Sequence, residues 1–162
     1  SFLNYYLTKM SELALHYGGT IDKFIGDSVM IFFGDPISEG AQKDANNCFN
    51  MALAMQEFLA SNRIAIQQKY NLPEPLHIRV GIHSGNCNVG NFGSEQRLEY
   101  TAIGRVVNIA ARLEQACGVD SILCSQDTHE LIDNKEVFSE ETKIFAKGVT
   151  EEISTYSWNA VS

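Results

Sequence analysis

Basic charge is scarce in this chain. Its 162 residues carry 12 Lys and Arg against 20 Asp and Glu, a net charge of −8 with a pI near 4.9. A broad nucleic-acid or anionic-membrane surface needs a cationic face, so the balance disfavours both. One small polyanion in a local basic pocket stays compatible with it. Cysteine motifs are missing too: Cys48, Cys87, Cys117 and Cys124 show no CxxC or other ligand spacing and read as buried, reduced thiols of a cytosolic protein. His16, His77, His83 and His129 are scattered, which argues against zinc. No apolar run approaches the ~18 residues of a membrane span, and the first residues do not read as a signal peptide. The glycine-rich region 81–104 holds neither GxGxxG nor GxxxxGK[ST], so a Rossmann or P-loop site is unsupported. Ser84 lacks a GxSxG setting, which leaves a hydrolase triad unsupported. No internal repeat, low-complexity tract or linker interrupts the chain.

What is present fits a single globular domain: 44% apolar and 20% charged residues, in a chain long enough for a sizeable core. Phe2, Leu3, Tyr6, Leu7, Met10, Leu13 and Ala14 recur at helical spacing, and Gly18-Gly19 stops that helix. Because this helix opens the chain abruptly, Ser1–Tyr17 reads as the middle of a domain and the chain as a fragment. A second helix is expected from Ala41 towards Tyr70, and a third from Val106 to Ala116, ending at Gly118. Leu76–His83 and Cys87–Phe92 read as one hairpin around Ser84-Gly85-Asn86, followed by a polar loop over Gly93–Leu98 and a short extended Glu99–Ala102. A short strand at Ser121–Cys124 leads to Ser125, which caps a helix over Gln126–Ile132. Phe138–Phe145 and Ile153–Trp158 read as a final strand pair turning near Lys147-Gly148. Helices interleaved with antiparallel hairpins predict an α+β, ferredoxin-like sandwich.

The segment Asp22-Lys-Phe-Ile-Gly-Asp27-Ser-Val-Met-Ile-Phe-Phe-Gly34 is the most informative. Two apolar runs flank Gly26-Asp27, the pattern of a tight hairpin. Apolar residues on both faces predict strands in the middle of a covered sheet. A carboxylate at such a tip is costly unless something binds it, and a metal ion is the natural candidate. A turn aspartate chosen for backbone reasons is the commoner use of the residue taken alone. Lys23 reads as an edge charge or as a donor to a ligand's ring nitrogen or carbonyl. Asn108 and Arg112 lie four apart on one face of the third helix, with Arg105 near its start. Val107, Ile109, Ala110, Ala111 and Leu113 around them predict little solvent face, so the polar pair needs a partner. A phosphate satisfies both, the arginine by charge-assisted contacts and the asparagine as an orienter. A tolerated polar residue and a surface charge remain the plainer reading of the pair.

Order and spacing add what no single residue supplies. Lys23-Phe-Ile-Gly-Asp27, Arg79-Val-Gly-Ile-His-Ser-Gly85 and Tyr100-Thr-Ala-Ile-Gly-Arg-Val-Val-Asn108-Ile-Ala-Ala-Arg112-Leu resemble the class III nucleotidyl cyclase catalytic domain, over nearly the whole chain. The resemblance implies a single cyclase domain over 1–162, a head-to-tail homodimer with active sites at the interface, and two magnesium or manganese ions on two aspartates of one protomer. Asp27 matches the second aspartate; the first belongs to an upstream strand motif, F-x-D-I-x-G-F-T-like, that this chain lacks. Lys23 and Thr101 would select the purine, and a Lys-Thr pair is similar to the adenylyl subgroup related to bicarbonate-responsive cyclases. Guanylyl members carry an acid and often a cysteine there, so Lys23 disfavours a guanylate cyclase. Asn108 would orient the ribose, Arg112 would stabilise charge at the α-phosphate, and Lys147 would meet the terminal phosphates. Some members place an arginine after the H-S-G turn, where this chain has Asn86. The implied activity is adenylate cyclase: ATP to cyclic AMP and pyrophosphate. The alternatives are a catalytically silent nucleotide-binding or regulatory module of the same fold, and a ferredoxin-like domain of unrelated role. A regulatory sensor domain in the parent protein, a cytoplasmic location with any membrane attachment supplied by another domain, and no nucleic-acid partner complete these expectations. Such a fragment alone is expected to be inactive.

Overall fold

The computed structural model of the chain describes residues 1–94, 97–145 and 151–160. Ser1 caps the first helix, α1 (Phe2–His16), its hydroxyl accepting from Asn4 N at 3.5 Å. Gly18 ends the helix at φ +88°, a conformation that costs glycine little. The chain then forms β1 (Thr20–Ile25) and β2 (Ser28–Phe32), an antiparallel pair closed by Gly26 at φ +62°. Glycine at the first central position of a two-residue loop matches the twist of the flanking strands. The helix α2 (Ala41–Lys69) runs 29 residues, which is about 43 Å at the usual rise. Its buried residues Ala45, Phe49, Ala52, Met55, Leu59 and Ile66 form one stripe.

The predicted second hairpin is not formed. The strand β3 (Val80–Ile82) pairs in parallel with β6 (Ser121–Ser125), whereas β4 (Asn88–Ser94) pairs antiparallel with β5 (Arg97–Ile103). Gly93, Ser94, Arg97 and Leu98, expected in a loop, pair across the β4–β5 ribbon, and the short extended piece at 99–102 is the middle of β5. Gly104, at φ +129°, leads into α3 (Arg105–Ala116). Ser125 caps α4 (Gln126–His129), shorter than expected, by accepting from Thr128 N at 3.4 Å. A 3-10 turn at Lys135–Val137 precedes β7 (Thr142–Phe145) and β8 (Glu152–Asn159), which are antiparallel as predicted. The central sheet has the order β3-β6-β8-β7. This mixture of helices with mostly antiparallel strand pairs bears out the α+β, ferredoxin-like sandwich.

Strand β6 shows how the layers separate. Ile122 and Cys124 point into a cluster with Phe49 and Ala52 of α2, while Leu123 points the other way to Ile109 and Leu113 of α3. Helices α2 and α3 therefore cover opposite faces of the central sheet. A further cluster of Met10, Ala14, Met51 and Met55 seats the inner face of the β1–β2 hairpin on α1 and α2. Burial fades towards the hairpin tip, where Phe24 and Ile25, on opposite faces, are both exposed, against the expectation of burial on both sides. Cys117 and Cys124 are buried and Cys48 partly so, but Cys87 is exposed; all four are free thiols. No helix among the described residues is long and apolar enough to cross a membrane.

Candidate active site

Glycine at position 81 fixes where α3 lies. A Cβ there would overlap Glu114 N and approach Ala110 O and Leu113 C at 2.8 Å. Only a residue without a side chain lets the helix backbone rest directly on β3. On this seat, α3 buries Ile109 and Leu113 and turns Asn108 outward, exposed, with Arg112 half-buried one turn later. The two predicted residues share a face, but that face is open to solvent, because Ala111 is exposed as well and the apolar stripe is narrower than its composition suggested. Arg112 Nε donates to the Phe145 carbonyl at 3.0 Å, and a guanidinium nitrogen donates to Gln115 Oε1 at 3.5 Å. Arg105 instead pairs with Glu151 at 3.0 Å, an exposed ion pair of small energetic worth. Lys147 lies outside the described residues.

Lys23 and Thr101 meet through a residue the sequence reading passed over. The β1–β2 register runs Ile21 to Ile31 and then Lys23 to Met30, so Asp22 is an extra residue, a β-bulge. Ile21 and Ile31 face the core. Without the bulge, Lys23 would share that face; with it, Lys23 lies opposite Met30 on the other face. The bulge aims the Asp22 side chain, only 1% exposed, at β5. Its carboxylate accepts the Thr101 hydroxyl at 2.7 and 2.8 Å and the Ala102 N–H at 2.8 Å. Lys23 Nζ stands 3.4 Å from Asp22 Oδ1. A buried carboxylate is tolerable when donors surround it in this way. The sequence signal was faint: an acid one place out of phase in an otherwise apolar strand.

Asp27 occupies the exposed hairpin tip, and no described cation pairs with it. Its charge reaches Tyr6 of α1, whose hydroxyl is pushed up to about 12 by burial first and by Asp27 second. Among the described residues, no cluster of three or more His, Cys, Asp or Glu could enclose a metal. A lone accessible carboxylate does suit a hard divalent ion that takes one or two carboxylates and fills its shell with phosphate oxygens and water. It does not suit an all-protein cage.

A cleft of about 500 Å³ opens at the N-terminal end of α3, lined by His83, Asn86, Arg105, Ser125, Asp127 and Glu151 among others. Among the described residues singled out as catalytic, substrate-binding or metal-binding, none lines it. His83 Nδ1 lies 2.7 Å from Ser125 Oγ, and burial lowers the imidazole pKa, with Asp127 opposing and Arg105 adding to the shift. Ser84 is spent on Thr128, oxygen to oxygen at 2.8 Å. The cleft is therefore a different place from buried Thr101 and from Lys23, Asn108 and Arg112.

The family model for the adenylate and guanylate cyclase catalytic domain matches residues 1–160. The chain belongs to this family, the class III nucleotidyl cyclase catalytic domains. It is 39% identical over 114 residues to adenylate cyclase 1 of Rhizobium meliloti, covering 70% of the chain and 16% of that protein. It is 32% identical over 170 residues to an adenylate cyclase of Anabaena cylindrica, covering 98% of the chain and 32% of that protein. The chain thus spans a third or less of the length of these curated relatives. Among solved structures, the adenylyl cyclase CyaB from P. aeruginosa superposes with a TM-score of 0.87 at 43% identity, over 99% of this chain and 82% of that one. The guanylyl cyclase Cya2 superposes equally well, with a TM-score of 0.88 at 31% identity, over 99% of this chain and 80% of that one.

Proposed function

We propose that this chain is the catalytic domain of an adenylate cyclase, converting ATP to 3′,5′-cyclic AMP and pyrophosphate. The fold cannot choose the base, since an adenylyl and a guanylyl cyclase superpose on it equally well. The observation that carries the reading is the joining of Lys23 and Thr101 through one buried carboxylate, so that an amine and a hydroxyl stand together. A lysine can only donate, which matches adenine N1 and opposes the protonated N1 of guanine. Thr101 meets the 6-amino side of the ring.

Asn108 orients the ribose, and Arg112 holds charge developing on the α-phosphate. Its backbone bond to Phe145 fixes the guanidinium plane while leaving other N–H groups to donate. The ribose 3′-oxygen, its proton lost to solvent, attacks the α-phosphorus in line; the bond to the bridging oxygen breaks and pyrophosphate leaves with the electron pair. Most of the rate comes from position and electrostatics. Asp27 would hold magnesium or manganese, two ions being used per site. When bound, the ions supply acidity to the 3′-hydroxyl and neutralise the triphosphate. Lys147 is assigned to the terminal phosphates.

An open site calls for a second wall. Asn108 and Asp27 are exposed, and Phe24, Ile25, Ile103 and Phe145 are exposed apolar side chains on the same elements or next to them. A head-to-tail homodimer, with Asp27 serving one site and Lys23 the other, covers this surface and completes both sites. The test is turnover of ATP and of GTP with manganese by the protein that contains this chain. Cyclic AMP in large excess over cyclic GMP is expected. The reverse preference would overturn the base assignment, and no product from either nucleotide would support a silent module instead.

A further inference from the structure

Threonine is an ambiguous reader of a base. Its hydroxyl has one proton and two lone pairs, so it can present either to a ligand. Adenine offers an amino group at position 6 and guanine a carbonyl, and a freely turning hydroxyl serves both. In this structure it does not turn freely. Both oxygens of Asp22 lie within 2.8 Å of Thr101 Oγ1, and an ionised carboxylate can only accept. The proton of that contact is therefore the threonine's own. What remains on Oγ1 is lone-pair density.

We propose that Asp22 is a positioning residue for base selection: it captures the Thr101 proton and so makes Thr101 an obligate acceptor for the 6-amino group of the purine. This rests on the adenylate cyclase reading above and names what enforces its preference. Three features mark Asp22 as built for the task. It is the bulged residue, so its direction is set against the strand's own alternation. Its side chain is 1% exposed, where a carboxylate persists only if satisfied. The Ala102 N–H pins Oδ2 at 2.8 Å and keeps the carboxylate from rotating away.

The pinning also predicts what an amide would do. In Asp22→Asn, the Ala102 N–H takes the amide oxygen at the Oδ2 position. The NH₂ group then faces Thr101 Oγ1 from the Oδ1 position and donates to it. The threonine proton is released towards the ligand, and a donor now stands where a 6-oxo purine wants one.

The measurement is kcat/KM for ATP against its 6-oxo analogue inosine triphosphate, in the intact protein that contains this chain. In Asp22→Asn the ATP preference should fall at least about tenfold, the scale of one mispaired buried hydrogen bond. In the Thr101→Val background, where no hydroxyl remains, the same substitution should change the preference by less than about threefold. An equal fall in both backgrounds, or an equal loss of both substrates, overturns the proposal and leaves Asp22 a tie between strands. Wild-type protein that cyclises neither nucleotide overturns the adenylate cyclase reading itself; wild-type preference for ATP with an unchanged ratio in Asp22→Asn defeats only the role of Asp22. Circular dichroism checks that each variant folds. If Asp22→Asn does not accumulate, Asp22→Ser, whose hydroxyl can also donate, is read in the same cycle and should lower the preference in the same direction.

Discussion

At the scale of single residues, the site depends on which atoms are left over after the fold has used its own. Arg112 gives Nε to Phe145 and keeps further donors for a ligand. Arg112→Ala should therefore lower kcat by about 10²–10³-fold, the usual cost of one transition-state donor, with a far smaller change in KM. Steady-state kinetics with ATP separates the two. Asp27 contributes nothing to packing: it is exposed at a hairpin tip. Asp27→Ala should cut turnover by roughly 100-fold or more while shifting unfolding by less than about 0.5 kcal/mol. Unchanged activity, measured beside a thermal melt, would remove Asp27 from the metal site. Asn108 and Arg112 were legible in the sequence as a polar pair at helical spacing, whereas Thr101 and the base-reading role of Lys23 came only with the family resemblance. Asp22 was not legible, because its role depends on a bulge, and one extra residue in a ladder leaves no mark on composition or periodicity. That Asn108 faces solvent was hidden too, since Ala111 beside it looks apolar yet lies exposed.

Elements were read well where the signal was local. The long stripe of α2 repeats over many turns, so the expected span to Tyr70 differs from the observed end at Lys69 by one residue. The β1–β2 turn was equally clear from Gly26. Pairing partners were not local information. Ser84-Gly85-Asn86 looks like a hairpin turn, but β3 finds its partner in β6, about forty residues on in the sequence, through the parallel register Val80–Ile122, Gly81–Leu123 and Ile82–Cys124. Contact with α3 at Gly81 belongs to the same arrangement. Gly81→Ala would push α3 off β3 and should cost about 2 kcal/mol, lowering Tm by about 4–8 °C in a domain of this size. Because α3 carries Asn108 and Arg112, activity should fall more steeply than stability. A variant melting within 1 °C of the parent would refute the close packing.

For the whole molecule, two quantities follow from what lies inside and what lies outside. Burial holds the His83 imidazole below its ordinary pKa. The unfolded chain therefore binds this proton more readily than the folded one. The stability it contributes is complete above the unfolded pKa, about 6.5, and is lost as pH falls from there towards the lowered folded value. His83→Asn keeps a donor for Ser125 and cannot titrate. Denaturant melts at pH 7 and 5 should show a larger loss for the parent than for this variant, and equal losses would discard the assignment. On the outside, the exposed Phe24, Ile25, Ile103 and Phe145 form the apolar part of the proposed dimer face. Ile25→Glu should weaken self-association at least about tenfold by sedimentation equilibrium, with an unchanged circular dichroism spectrum. Dimerisation as tight as the parent's would place the interface elsewhere.

The bulge at Asp22 adds a side chain to the hairpin without disturbing the order of its faces. Strand alternation is a matter of odd and even, and the extra residue switches the parity between Ile21 and Lys23. Deleting Asp22 would leave Ile21 and Lys23 adjacent, on the opposite faces they already hold, so the arm would keep its inside and outside and lose only the carboxylate that reaches β5. Keeping Asp22 but pressing it into the regular ladder would instead turn Lys23 to the face of Ile21. The extra residue is thus a graft on a strand whose two faces are set without it.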